Sequence, residues 1–149
     1  LYWIDEETGE ISEKRKSPKR GNPYSIFAEL YRIKGFLKNP NLKILIVMLD
    51  MEEYKLLNGW GKQRKNNASK YDRIPVRITK EILIERKEDY LQFIPYDLEE
   101  PFTAIEFAKQ VKISKQLAGV TLNLLNYLEV VNRVGKKGNA FLYEVNMEK

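Results

Sequence analysis

The 149-residue sequence predicts an α+β chain: a basic, mixed α/β part over residues 1–87, then a helix–helix–hairpin unit over 88–149. Three observations predict it. The aliphatic run Ile44 to Leu49 is too short for an isolated buried helix and suits a strand covered on both faces. Thr103 and Ser114 each stand before residues whose apolar positions recur at helical spacing. After Glu129 the period changes to an extended one on either side of a glycine-bracketed basic tip.

Leu1–Asp5 and Glu10–Lys16 flank the Gly-ended turn Asp5–Gly9, which predicts a β-hairpin. The chain begins at Leu1 rather than Met, inside that first extended run, and reads as a fragment or processed product. Ser17–Asn22 is basic, contains Pro and Gly, and predicts a loop. Asn22 then offers an N-cap and Pro23 a first helical position, where a missing N–H costs nothing. Ile26, Leu30, Ile33 and Leu37 continue one helical face, and Gly35 with Asn39-Pro40 ends it. Leu42–Asp50 is the aliphatic strand. Met51–Ile74, with Gly59, Gly61, Asn66-Asn67 and many cations, predicts a partly helical start and then a long exposed loop. Pro75–Glu85 returns to extended chain, with Ile82-Leu83-Ile84 buried.

The composition changes near Glu88. Glu88–Ile94 predicts a short helix stopped by Pro95, and Tyr96–Pro101 an acidic connector. Thr103-Ala104-Ile105-Glu106 matches a capping box, in which hydroxyl and carboxylate each satisfy a backbone N–H that the helix leaves orphaned. Ile105, Ala108 and Val111 share its helical face. After the turn at Lys112-Ile113, Ser114 caps a second helix carrying Leu117, Thr121, Leu124 and Leu128 on one side. Val130–Val134 and Ala140–Val145 flank Gly135-Lys136-Lys137-Gly138-Asn139, a hairpin with a basic tip. Helix, helix, basic hairpin is the order of a winged helix-turn-helix, with Glu88–Ile94 supplying the first of three helices.

Composition removes several classes of chemistry. There is no Cys and no His, so disulfides, zinc fingers, attached haem and Cys-His or Ser-His-Asp hydrolysis are excluded. A catalytic metal would have to be held by oxygen ligands, which suits Mg or Mn. No apolar run approaches the length that spans a bilayer and no secretory signal is visible, which makes a cytoplasmic location with no membrane partner the default expectation. The net charge of +5 is uneven: Leu42–Lys87 carries eleven basic and six acidic residues, and Glu88–Lys149 seven and nine.

That distribution points to a nucleic-acid partner, duplex DNA first, with solvated surface as the alternative. Lys14, Arg15, Lys16, Lys19 and Arg20 form one cluster suited to backbone phosphates, joined by Arg64, Lys65, Lys136 and Lys137. Lys115, Gln116 and Asn123 lie off the apolar face of the second capped helix, where Gln and Asn can pair with adenine edges. Trp60 and Tyr71 either stack on bases or dock a loop to the core. The unit from Glu88 onward is net acidic, so a protein-contact or homodimer role for it remains open beside DNA binding. Glu53-Tyr54-Lys55 and Glu85-Arg86-Lys87 fit the bare Glu-x-Lys spacing of metal-dependent nucleases, with Asp50 as a further acid, but two such triplets are what chance supplies here.

Arg15-Lys16-Ser17-Pro18-Lys19-Arg20-Gly21, Asn39-Pro40-Asn41-Leu42, Pro101-Phe102-Thr103 and Val134-Gly135-Lys136-Lys137-Gly138-Asn139 occur in this order. In this the chain resembles a family of bacterial proteins without an assigned role that pair a restriction-endonuclease-like α/β domain with a C-terminal winged helix. The resemblance covers nearly the whole sequence. It implies a truncated, nuclease-like α/β part whose main metal-binding strand would precede Leu1. No catalytic residue and no cofactor are therefore expected in this chain, and Mg or Mn would serve only a complete nuclease.

Overall fold

The computed structural model describes residues 2–4, 11, 21–56 and 69–146. It is a mixed α/β chain with two sheets: β1 (Tyr2–Ile4), β2 (Ile44–Leu56) and β3 (Ser69–Ile84) in that order, and β4 (Val131–Lys137) with β5 (Ala140–Val145). The helices are α1 (Ile26–Arg32), α2 (Ala104–Val111) and α3 (Lys115–Tyr127), with short 3-10 turns at Pro23–Ser25, Lys34–Phe36 and Lys87–Phe93. Among the described residues no helix is long and apolar enough to cross a membrane.

The chain divides into two compact units, residues 1–21 with 47–81 and residues 22–46 with 82–149. This division does not follow the composition change near Glu88. The physical reason is the aromatic core of the second unit. Phe27 of α1 is fully buried and meets Phe93 edge-on, ring centroids 4.9 Å apart. Tyr24 packs edge-on against both Phe93 (5.5 Å) and Phe107 (5.9 Å), and its hydroxyl donates to the Phe93 carbonyl at 2.7 Å. Such rings bury large apolar areas, so the segment supplying Phe27 and Leu30 belongs with α2 and α3 whatever its own composition.

The first unit is built on the long β2–β3 pair. Asp50 meets Arg77 at 2.6 Å and the Thr79 hydroxyl donates to the Met48 carbonyl at 3.2 Å. Partner numbers rise on one strand as they fall on the other, so the pair is antiparallel. Pro75 is tolerated because β3 is at the sheet edge, where a ladder N–H can be dispensed with. β1 runs parallel to the end of β2, with Tyr2 opposite Tyr54 and their rings stacked at 4.9 Å.

Several expectations are corrected here. The aliphatic strand is not covered on both faces. Alternation puts Val47, Leu49 and Met51 opposite in direction to Met48 and Asp50, and Val76 and Ile78 opposite to Arg77 and Thr79. All five are exposed, from 37% at Val47 to 56% at Ile78, because among the described residues that face stands open to solvent. The stretch Met51–Ile74 does not begin as a helix: β2 continues to Leu56 and β3 has started by Ser69, the intervening residues 57–68 lying outside the described ones. The antiparallel bridge between Ile4 and Ile11 agrees with the N-terminal hairpin, whose residues 5–10 and 12–16 lie outside the described ones, and β1 also pairs with β2. The helix after Asn22 is broken into a 3-10 turn, α1 and a second 3-10 turn, and Ile33 is left 45% exposed.

Candidate nucleic-acid interface

The second unit positions its surface through local capping. The Thr103 hydroxyl accepts from the Glu106 N–H (3.2 Å) while the Glu106 carboxylate accepts from the Thr103 N–H (3.4 Å), closing the capping box at the start of α2. The helix ends on Lys112, whose φ of 59° and ψ of 50° reverse the chain, and Ser114 accepts from the Leu117 N–H at 3.1 Å to start α3. Three residues thus separate the two helices. The inner side of α3 is closed by Ala118, Leu122, Leu124 and Leu125, all fully buried, and by Thr121, whose hydroxyl donates to the Leu117 carbonyl at 2.8 Å.

The outer side of α3 carries Lys115 and Gln116, both exposed, with Gly119 and Asn123 half-buried. Lys115, Gln116, Gly119 and Asn123 line one open depression, with Tyr31 beside them. A Cβ on Gly119 would meet nothing within 4 Å, so the space above the helix is free. The three residues expected to reach base edges are therefore brought together on one helix face.

The hairpin differs in detail from the sequence expectation. Gly135, Lys136 and Lys137 are not in the tip but in β4, with a register shift between Arg133 and Gly135 that marks a bulge. The turn is reduced to Gly138-Asn139, Gly138 taking a φ of 66° that glycine adopts without steric cost. Phe102 bridges to Tyr143 through two backbone hydrogen bonds of 3.0 and 2.8 Å, which ties the chain before α2 to β5.

Between α2, α3 and this hairpin lies a crevice of about 490 Å³, lined in part by Lys115, Arg133, Lys137, Asn139 and Phe141. The Arg133 guanidinium lies over the Phe141 ring (4.1 Å), and its Nε donates to the Tyr143 hydroxyl at 3.3 Å. The Lys136 ammonium sits 5.0 Å from the same Phe141 ring. Arg133 and Phe141 are the participants that sequence reading missed. Their signal was weak: one cation and one aromatic in extended runs, related only by the cross-strand register.

Four ion pairs join described residues: Arg32–Glu29, Lys43–Glu85, Arg73–Glu53 and Arg77–Asp50. None involves Lys115, Arg133, Lys136 or Lys137, so among the described residues these four cations have no acidic partner. The acidic balance beyond Glu88 is also local. Five of the nine acids there, Glu88, Asp89, Asp97, Glu99 and Glu100, precede Pro101, whereas Pro101–Asn146 holds six basic and three acidic residues. The helices and hairpin are therefore net positive.

The remaining expected phosphate contacts, Lys14, Arg15, Lys16, Lys19, Arg20, Arg64 and Lys65, lie outside the described residues, as does Trp60; Tyr71 lies within β3. Of the acids weighed for a metal centre, Asp50, Glu53 and Glu85 each have a cation beside them, at 2.6, 3.6 and 3.8 Å. Among the described residues no group of three or more carboxylates is placed to hold a metal ion.

Comparison with known families bears on the first part of the chain. Residues 1–85 match the family described as a domain of unknown function, DUF8091. The chain belongs to that family. The DUF8091 match takes in β1, α1, β2 and β3 and ends before α2, α3 and the β4–β5 hairpin. No curated protein and no solved structure matches the chain.

Proposed function

We propose that this DUF8091 chain binds nucleic acid, duplex DNA in the first instance, and that residues 88–149 act as a winged helix-turn-helix. In this reading α3 enters the major groove and the β4–β5 hairpin serves as the wing against the backbone. The observation that carries the reading is the convergence of Lys115, Arg133 and Lys137 around one crevice beside the open face of α3, with Lys136 near the Phe141 ring that lines it, none of the four having an acidic partner among the described residues. Cations left unpaired on one face retain their full attraction for phosphate, and releasing condensed counterions is the dominant source of affinity for DNA. Gln116 and Asn123 supply amide groups that can form paired hydrogen bonds with adenine. Lys115, at the first turn of α3, is placed to approach either a base edge or a phosphate.

The test is a titration of the chain into fluorescently labelled duplex DNA in EDTA at two salt concentrations. A salt-sensitive complex that weakens when Lys136 and Lys137 are both changed to Ala is expected. Absence of binding even at low salt overturns the reading, and a concentration-dependent dimer without DNA affinity would assign this unit to protein contact instead.

A further inference from the structure

A second cavity, of about 460 Å³, lies within the same compact unit on residues other than those of the crevice and α3 depression described above. Its apolar lining comes from Leu37, Leu42, Ile44, Ile84 and Leu128. Tyr90 also lines it. That residue is only 4% exposed, yet its hydroxyl has no hydrogen-bond partner among the described residues. A buried polar atom without a partner is rare in a folded chain and costs free energy until something meets it. Tyr24, another phenol packed against this core, is satisfied by the Phe93 carbonyl at 2.7 Å, so local packing can meet that need in this unit.

The mouth of the cavity is charged. Lys38, Arg86 and Lys87 line it with Glu85 and Glu129. Glu85 is already taken by Lys43 at 3.8 Å, and Arg86 stands beside Asp89, whose carboxylate is occupied by the Glu85 and Arg86 backbone N–H groups at 2.8 and 3.0 Å. The Lys38 ammonium lies over the Tyr127 ring at 4.3 Å rather than against an acid, and Lys87 joins none of the ion pairs among the described residues. Among the described residues Lys38 and Lys87 thus have no ion-pair partner, and neither has Glu129, so the mouth keeps an excess of one positive charge beside an apolar chamber. Its size falls in the range of sites that enclose a small organic molecule.

We infer that this cavity binds a small organic anion, with its hydrocarbon or aromatic body against Leu37, Leu42, Ile44, Ile84 and Leu128 and its anionic head between Lys38, Lys87 and the Tyr90 hydroxyl. Burial pushes the Tyr90 phenol up from its ordinary pKa, so it stays protonated and can donate. A carboxylate or a phosphate meets this chemistry; a neutral body alone satisfies the floor but leaves the phenol and the cations unanswered.

Octanoate, octyl phosphate and 1-naphthoate serve as probes for isothermal titration calorimetry and for amide shifts in the full chain, with octan-1-ol as the neutral comparator. Saturable one-site binding of at least one anion is expected, with shifts at Ile44, Ile84 and Leu128. Octanol should bind about tenfold or more weakly, since hydrogen bonds to a charged group are the stronger ones. Which of the three binds best assigns an acyl carboxylate, a phosphate ester or an aromatic acid. Tyr90→Phe keeps the shape and should weaken the best anion several-fold, as should Lys38→Ala with Lys87→Ala, two surface changes that leave the core intact. No saturable binding of any anion, or equal affinity for octanol with no effect of either variant, overturns the inference. DNA titration plays no part in this test, so failure of the DNA-binding reading leaves it standing.

Discussion

Replacing Phe27 by Ala tests whether residues 22–46 belong to the core of the C-terminal unit. Phe27 is fully buried; its ring meets Phe93 edge-on at 4.9 Å and Tyr24 at 6.4 Å. Removing a buried Phe side chain costs about 3–5 kcal/mol through lost transfer energy and the cavity left behind. The two ring pairs, each worth about 0.5–1.5 kcal/mol, favour the upper part of that range. Since a domain is stable by only about 5–15 kcal/mol, the loss is a large fraction of the total. Urea unfolding followed by far-UV circular dichroism measures it, with near-UV signal reporting the aromatic cluster. Phe36→Ala is the control: Phe36 is 69% exposed and its loss should change stability by less than about 0.5 kcal/mol. A segment 88–149 produced alone lacks Phe27 and Leu30 and should not unfold cooperatively. If Phe27→Ala costs under about 1 kcal/mol, or the 88–149 segment unfolds as sharply as the whole chain, the packing argument is refuted.

Three further outcomes follow from the geometry. Lys112→Gly should stabilise the chain by about 0.5–1 kcal/mol, because Lys112 occupies the left-handed region at φ 59° where a Cβ is penalised; a loss of stability in thermal melts would contradict this. The backbone N–H groups of Glu85 and then Arg86 hold the Asp89 carboxyl below its ordinary range. Its contribution is therefore complete above the unfolded pKa of about 4 and disappears as pH falls through the lowered folded value. Asp89→Asn should flatten that acid limb of stability, and an unchanged pH profile would show that the carboxylate charge contributes nothing. Changing Lys136 and Lys137 together to Ala should reduce the slope of log affinity for duplex DNA against log salt by about 2, similarly for all sequences. A slope identical to that of the unchanged chain would remove these two lysines from the interface.

The caps and turns of this chain are legible in its residues because each is satisfied within a few positions. Asn22 accepts from the Tyr24 N–H at 2.9 Å, Thr103 and Glu106 close their box, and Ser114 starts α3, all as spacing alone predicts. The β4–β5 hairpin is legible for the same reason, although its bulge and shortened turn depend on cross-strand register. The gathering of Lys115, Gln116 and Asn123 on one face likewise follows from helical period.

Tertiary structure decided what lies over each element. The aliphatic run at 44–49 has a similar composition throughout, yet Ile46 is buried and Leu45, Val47 and Leu49 are exposed, because alternation sends them to faces with different neighbours. Membership of α1 in the C-terminal unit, the parallel pairing of β1 with β2 and the meeting of Arg133 with Phe141 likewise join residues at separations that no local period encodes. The Tyr90 hydroxyl, which has no hydrogen-bond partner among the described residues, belongs to the same class. Its residue type announces a donor, but whether that donor finds a partner depends on chain segments distant in sequence. Local hydrogen bonding is written in neighbouring residues; burial is a property of the elements that come to cover them.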